Sequence, residues 1–169
     1  MTASDVCSED PAPHVSGRVV AARRVLVGVG NAYRSDDGVG LAVAERLRGR
    51  VPDGVEVTLC EQEASRVLDA LEGAEAAVIV DAVASGAEPG TLHRFDAAAA
   101  AVPARAFGSS THAFGVGEAI ELARVLGKLP PVLVVYGIEG REFTAGTELS
   151  APVASAIEPA AVVILEELS

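Results

Sequence analysis

Arg24-Val25-Leu26-Val27-Gly28-Val29-Gly30, followed by Asn31-Ala32-Tyr33-Arg34-Ser35-Asp36-Asp37-Gly38-Val39-Gly40, is the stretch that decides the fold. Its first part is a continuous apolar run closed by glycines, the pattern of a strand buried on both faces. Beyond Asp36-Asp37-Gly38, Val39, Val43 and Leu47 recur at i, i+4 and i+8, while Glu45, Arg46, Arg48 and Arg50 take the polar side. That spacing predicts an amphipathic helix. The aspartates suit its N-terminus and the arginines its C-terminus, as the helix dipole requires.

Working outward, residues 1–22 mix Ser, Asp, Glu, Pro and Ala without an apolar period, and are expected to form a disordered acidic leader. Residues 23–169 are expected to form a single domain. Val55 to Cys60 alternates weakly and reads as a second strand, Ser65 to Leu71 as a short helix, and Ala76 to Asp81 as a third buried strand ending in a carboxylate. Gly90 to Phe95 follows too closely for a helical crossover and fits an antiparallel edge strand. A helix is expected from near Thr111 through Glu118 to Leu126, and a last central strand from Pro131 to Gly137. Ser150-Ala151-Pro152 announces the final helix, in which Pro159 should produce a kink or a second segment. The sum is an α/β three-layer sandwich with a mostly parallel sheet of about five strands and helices on both faces. The loops at the carboxyl ends of its parallel strands should hold the site.

The chain has 169 residues, half of them hydrophobic, enough for one domain with a sizeable core. Its 13 Lys+Arg against 24 Asp+Glu give a net charge of −11, which argues against nucleic acid and anionic membranes as partners. No apolar run reaches the roughly 18–20 residues needed for membrane insertion. The N-terminus has neither the basic start nor the apolar centre of a secretory signal. Cys7 and Cys60 match neither a disulfide framework nor a CxxC zinc pattern, and read as free thiols in a reducing cytoplasm.

Gly28-Val29-Gly30 invites comparison with the dinucleotide fingerprint, but Tyr33 stands where the third glycine belongs. The glycines instead read as a tight strand exit. Asp36 and Asp37 are either helix caps, or one caps while its neighbour points into a crevice. Asp81 either binds the amides of the following loop or belongs to the site. If strands two and three flank strand one, a crevice opens between strands one and three, with Asp37 and Asp81 at its mouth. His112, at the start of the next long helix, could complete a three-ligand set. Two carboxylates and an imidazole suit Ni, Zn, Fe or Mn by ligand type. His14 lies in the leader and His93 in the edge strand, away from that crevice.

Taken together, Gly28-Val29-Gly30-Asn31, Arg34-Ser35-Asp36-Asp37-Gly38-Val39-Gly40, Val80-Asp81-Ala82 and Ser110-Thr111-His112 resemble the hydrogenase maturation protease family. The resemblance extends over about residues 24–167, through Gly137-Ile138-Glu139, Leu149-Ser150-Ala151-Pro152 and Ile157-Glu158-Pro159. It implies a cytoplasmic endopeptidase that activates [NiFe]-hydrogenase by removing a C-terminal peptide from the nickel-loaded large-subunit precursor. It also implies that Asp37, Asp81 and His112 are the catalytic and metal-contacting residues. The nickel is expected to be supplied by the precursor, with other divalent metals possible in the free protein; Asp36 is expected to cap and support. No HExxH helix or GxSxG elbow is present, so a metal-directed cut fits better than a nucleophilic triad. Two alternatives are a non-catalytic nickel-binding checkpoint module using the same ligands, and another hydrolase on a similar α/β fold. Gly-x-Gly-Asn also opens peptidyl-tRNA hydrolases, though the acidic charge argues against a tRNA substrate. The chain departs from the family at Cys60-Glu61-Gln62-Glu63, to which no role carries over, and in its acidic leader.

Overall fold

The computed structural model describes residues 22–61, 65–103 and 115–169. In chain order the elements are β1 (Arg24–Gly30), a 3-10 turn (Ser35–Gly38), α1 (Val39–Leu47), β2 (Val55–Glu61), α2 (Ser65–Leu71), β3 (Ala76–Val83), β4 (Leu92–Asp96), α3 (Val116–Val125), β5 (Val132–Glu139) and α4 (Ala151–Leu168). The strands form one five-stranded sheet in the order β2-β1-β3-β5-β4. β1 runs parallel to β2 and β3, and β3 runs parallel to β5. β4 lies antiparallel to β5 at the edge, where the short connection from β3 leaves no room for a crossover helix.

The period of two along β1 divides the core. Val25, Val27 and Val29 pack with Val67 and Leu71 of α2 and with Val116, Ala119 and Ile120 of α3. Leu26 faces the opposite way, toward Val39, Val43 and Leu47 of α1 and Val153, Ala161 and Ile164 of α4. A strand buried on both faces therefore sits between two helical layers, as its unbroken apolar run requires.

Three sequence expectations need qualification. Residues 1–21, with Cys7 and His14, lie outside the described residues, as do Thr111 to Phe114; the described part of the third long helix begins at Val116. Asp81 is not the last residue of its strand, because β3 continues to Val83 along β5. Finally, α4 is one helix from Ala151 to Leu168, so Pro159 does not start a second segment. Pro159 has no N–H to donate to the Ser155 carbonyl, and both residues lie on the exposed side of the helix.

Glycine sets the seat of α1. A Cβ built on Gly40 would lie 2.3 Å from the carbonyl oxygens of both Val29 and Val80. A Cβ on Gly28 would lie 2.5 Å from the Ala44 Cβ and 2.6 Å from the Gly40 carbonyl oxygen. The first turns of α1 thus rest backbone-on-backbone in the notch between β1 and β3. The aspartates immediately before the helix are delivered to that notch.

Candidate active site

The sheet order puts β2 and β3 on opposite sides of β1, which makes the carboxyl end of β1 a topological switch point. Pairing of β1 with β3 ends at Gly28 and Val80. Asp81 is the first β3 residue beyond that pairing, while its other neighbour, Gly137 of β5, is still in register. Its side chain is buried, and Oδ1 accepts the N–H of Ala82 at 2.8 Å. Burial pushes the Asp81 carboxyl well above its ordinary range, and the nearby Asp37 carboxylate pushes it further; the Ala82 N–H offsets only part of this. Asp37 is itself 5% exposed. Two of the three expected site residues therefore meet at the predicted crevice.

The neighbouring Asp36 behaves differently. It caps no helix: neither the 3-10 turn nor α1 has a side-chain cap. Its carboxylate turns instead to the β5–α4 loop. Oδ2 accepts the N–H groups of Arg141 and Glu142 at 2.8 and 2.9 Å and the Ser150 hydroxyl at 2.8 Å. Oδ1 accepts the Ser150 N–H at 2.7 Å. Burial alone would raise this carboxyl, but the hydrogen bonds from Glu142, Ser150 and Arg141 outweigh it and hold the group below its ordinary value.

Further bonds join the same two loops. Ser35 N–H donates to the Gly146 carbonyl at 2.8 Å, Gly146 N–H to Tyr33 at 3.0 Å, and Asp36 N–H to Glu142 at 3.0 Å. The Arg34 guanidinium donates to the Phe143 carbonyl at 2.8 Å. Ser35 takes a left-handed backbone conformation, φ 49°. For a non-glycine residue that geometry is unfavourable by about 1–2 kcal/mol, so the surrounding bonds must hold it.

His112 lies outside the described residues. Among the described residues no group of three or more His, Cys, Asp and Glu side chains is arranged to hold a metal. The helix that follows His112 in sequence, α3, packs on the face that carries Val29 and Val83. A short connection joins its C-terminal end to the start of β5, so its N-terminal end points toward the carboxyl edge of the sheet.

His93 lies in the edge strand as expected, with Nε2 3.2 Å from Glu139 Oε2. Glu139, 1% exposed, also accepts the Ser85 hydroxyl and the Gly86 N–H, tying the loop after β3 to the end of β5. Cys60 is a buried free thiol, pushed up to about 11 by burial, with Arg66 lowering and Asp69 raising it. It is poorly suited to act as a nucleophile at neutral pH. Sequence reading missed the role of Asp36, whose partners lie 105 to 114 positions away along the chain. It also missed the Glu139 anchor.

An α/β sandwich with a buried carboxylate pair at its switch point defines a class of protein in which chemistry is carried by loops at the sheet edge. The hydrogenase maturation protease family model matches residues 41–167. The hydrogenase expression/formation protein HoxM of Azotobacter vinelandii is 31% identical over 150 residues, covering 86% of this chain and 72% of HoxM. The solution structure of an endopeptidase from Escherichia coli superposes with a TM-score of 0.75 at 25% identity, covering 86% of this chain and 91% of the other. A [NiFe] hydrogenase maturation protease, HycI from Thermococcus kodakarensis, gives a TM-score of 0.65 at 26% identity, covering 87% and 92%. The chain belongs to the hydrogenase maturation protease family. It is an endopeptidase of hydrogenase maturation, which disfavours the non-catalytic checkpoint alternative. Among the described residues no helix is long and apolar enough to cross a membrane.

Proposed function

We propose that this protein removes a C-terminal peptide from the nickel-loaded precursor of a [NiFe]-hydrogenase large subunit, in the cytoplasm. Asp37, Asp81 and His112 are the residues that contact the precursor's nickel. The observation that carries this reading is the meeting of Asp37 and Asp81 at the switch point. A buried Asp81 carboxyl whose charged form is disfavoured by burial and by the neighbouring Asp37 is suited to a cation, which relieves both. Oxygen donors from Asp37 and Asp81, with an imidazole from His112, match a divalent transition metal by ligand type.

Nickel brought by the substrate would be held by Asp37, Asp81 and His112, would anchor the precursor there, and would supply Lewis-acid polarisation of the scissile carbonyl or a water. The protein's own part is positional. Asp37 and Asp81 fix where the precursor docks, and the Asp36 bonds hold the Asp37 turn against the β5–α4 loop. Orientation of this kind contributes several kcal/mol to lowering a barrier, on the order of 7–11 in favourable cases.

The test is to incubate the purified protein with nickel-loaded and metal-free precursor and to measure the released peptide by mass. Release from the loaded form, little or none from the metal-free form, and no rescue by zinc added to the enzyme alone are expected. Equal rates on the two forms would overturn the substrate-metal mechanism. Release from neither would overturn the assigned reaction.

A further inference from the structure

Beside the Asp37 turn, on the outer side of the sheet, lies a cleft of about 360 Å³. Its floor is aliphatic: Leu41 of α1, Leu59 of β2 and Leu149 of the β5–α4 loop. One wall is formed by Ser35 and Gly38, which bracket Asp36 and Asp37 within a single 3-10 turn. The cleft wall and the candidate active-site carboxylate therefore belong to one short unit. The floor is tied to the same unit, because Leu149 directly precedes Ser150, which donates two hydrogen bonds to Asp36.

The rim is acidic, and its two carboxylates differ. Glu45 is 3.3 Å from Arg48 and so is already paired. Glu61 is exposed at the end of β2 and forms no ion pair with a described residue. β2 is the outermost strand, and among the described residues no strand pairs with its second edge. An open edge accepts an extended peptide through main-chain bonds, while side pockets select its residues.

We propose that this cleft docks an extended segment of the protein substrate, seating an aliphatic side chain on Leu41, Leu59 and Leu149 and a neighbouring Lys or Arg at Glu61. This deepens the proposed function and rests on its reading of the substrate as a precursor polypeptide. The charge argument is local and global together: Glu61 has no ion-pair partner among the described residues, and the chain carries a net charge of −11, so a cationic segment is attracted and an acidic one repelled. Because the cleft shares a turn with Asp37, a segment held there aligns the precursor before the metal contact is made.

The experiment has two arms. In the first, fluorescein-labelled Gly-Val-Leu-Arg-Val-Gly and Gly-Val-Leu-Glu-Val-Gly are titrated with the full chain by anisotropy. The Arg peptide is expected to bind about tenfold more tightly, and Glu61→Lys to reverse that preference. Ala42→Trp, on the half-buried cleft side of α1, is expected to abolish binding of both peptides. Thr147→Trp, on the exposed opposite wall, gives a second blocking variant if Ala42→Trp fails to fold. In the second arm, Glu61→Lys is expected to raise KM for nickel-loaded precursor about five- to tenfold with kcat changed far less.

Equal binding of the two peptides, or binding that survives a folded blocking variant, overturns the proposal. A concentration-dependent dimer lost in the blocking variant assigns the cleft to a second copy of the chain and also overturns it. Absence of precursor cleavage by the wild-type chain would sink the proposed function alone, since the peptide arm still decides the docking site.

Discussion

Replacing Asp36 by alanine tests whether one buried carboxylate holds the loops of the candidate active site together. Asp36 is 0% exposed, and its four hydrogen bonds measure 2.7 to 2.9 Å. Alanine leaves the N–H groups of Arg141, Glu142 and Ser150 without this acceptor. A buried donor left unpaired costs about 1–3 kcal/mol. These bonds are partly accessible, so water relieves some of the loss, and the expected destabilisation is about 3–5 kcal/mol. Asparagine is gentler. Its amide oxygen can serve the three donors that Oδ2 now serves, but its NH2 then meets the Ser150 N–H, for a loss of about 1–3 kcal/mol. Urea unfolding followed by circular dichroism measures both variants from their midpoints and slopes.

The pH dependence has a definite sign. The folded-state value of Asp36 is lowered, so its contribution is complete above the unfolded value of about 3.9 and is lost as pH falls through the lower folded value. The gap between wild type and Asp36→Asn is therefore constant near neutrality and narrows only in acid. An Asp36→Ala protein within about 0.5 kcal/mol of wild type would refute the tether. A gap indifferent to strong acid would refute its dependence on charge.

Asp81→Asn should separate stability from activity: burial and Asp37 raise this carboxyl, so its ionised form destabilises the metal-free protein above the unfolded value of about 3.9. Calorimetry at neutral pH should show the variant more stable by about 1–3 kcal/mol, with the gain vanishing in acid, while cleavage of nickel-loaded precursor falls on the order of 100-fold; a destabilised Asp81→Asn protein at pH 7 would contradict this. Gly40→Ala sets two effects against each other, since helix propensity favours alanine by about 1 kcal/mol but its Cβ would meet two carbonyl oxygens at 2.3 Å. Overpacking against backbone should dominate, with a net loss of about 2–4 kcal/mol in urea unfolding and impaired cleavage; a neutral or stabilised variant would show that α1 does not rest in the notch.

The sheet was legible because each strand carries a signal that lies within itself. Arg24–Gly30 is apolar on both faces because both faces are covered, and the short span before Leu92 excludes a crossover. The meeting of Asp37 and Asp81 followed from topology, because consecutive strands placed on either side of β1 bring their exits together. What could not be read was the partner of Asp36. Aspartate before a helix is chemically competent to cap it, and nothing local distinguishes a cap from a tether whose donors are backbone N–H groups more than 100 residues away. Backbone donors have no residue-type signature, so this contact exists only once the fold has brought the β1 and β5 loops together. The end of β3 was misjudged for a related reason: its last residues, Ala82 and Val83, are stabilised by β5 rather than by their own pattern.

Asp36 and Asp37 are the same residue type in adjacent positions of one turn, and the fold gives them opposite duties. Asp36 is surrounded by donors and is a satisfied anion, so it stabilises the loop pair in which it sits. Asp37 is placed against Asp81, which among the described residues has the Ala82 N–H to offset both its burial and its neighbour's charge. When both are ionised, that second pair would favour opening the crevice or moving the turn, because like charges in a low dielectric repel strongly. The turn cannot move without giving up four hydrogen bonds to Asp36 and the backbone contacts beneath Gly40. The strain at Ser35, φ 49°, lies between these two demands. A tether that fixes the turn therefore keeps the two carboxylates together, and under the proposed function a cation borne by the substrate would gain affinity by relieving what the tether imposes.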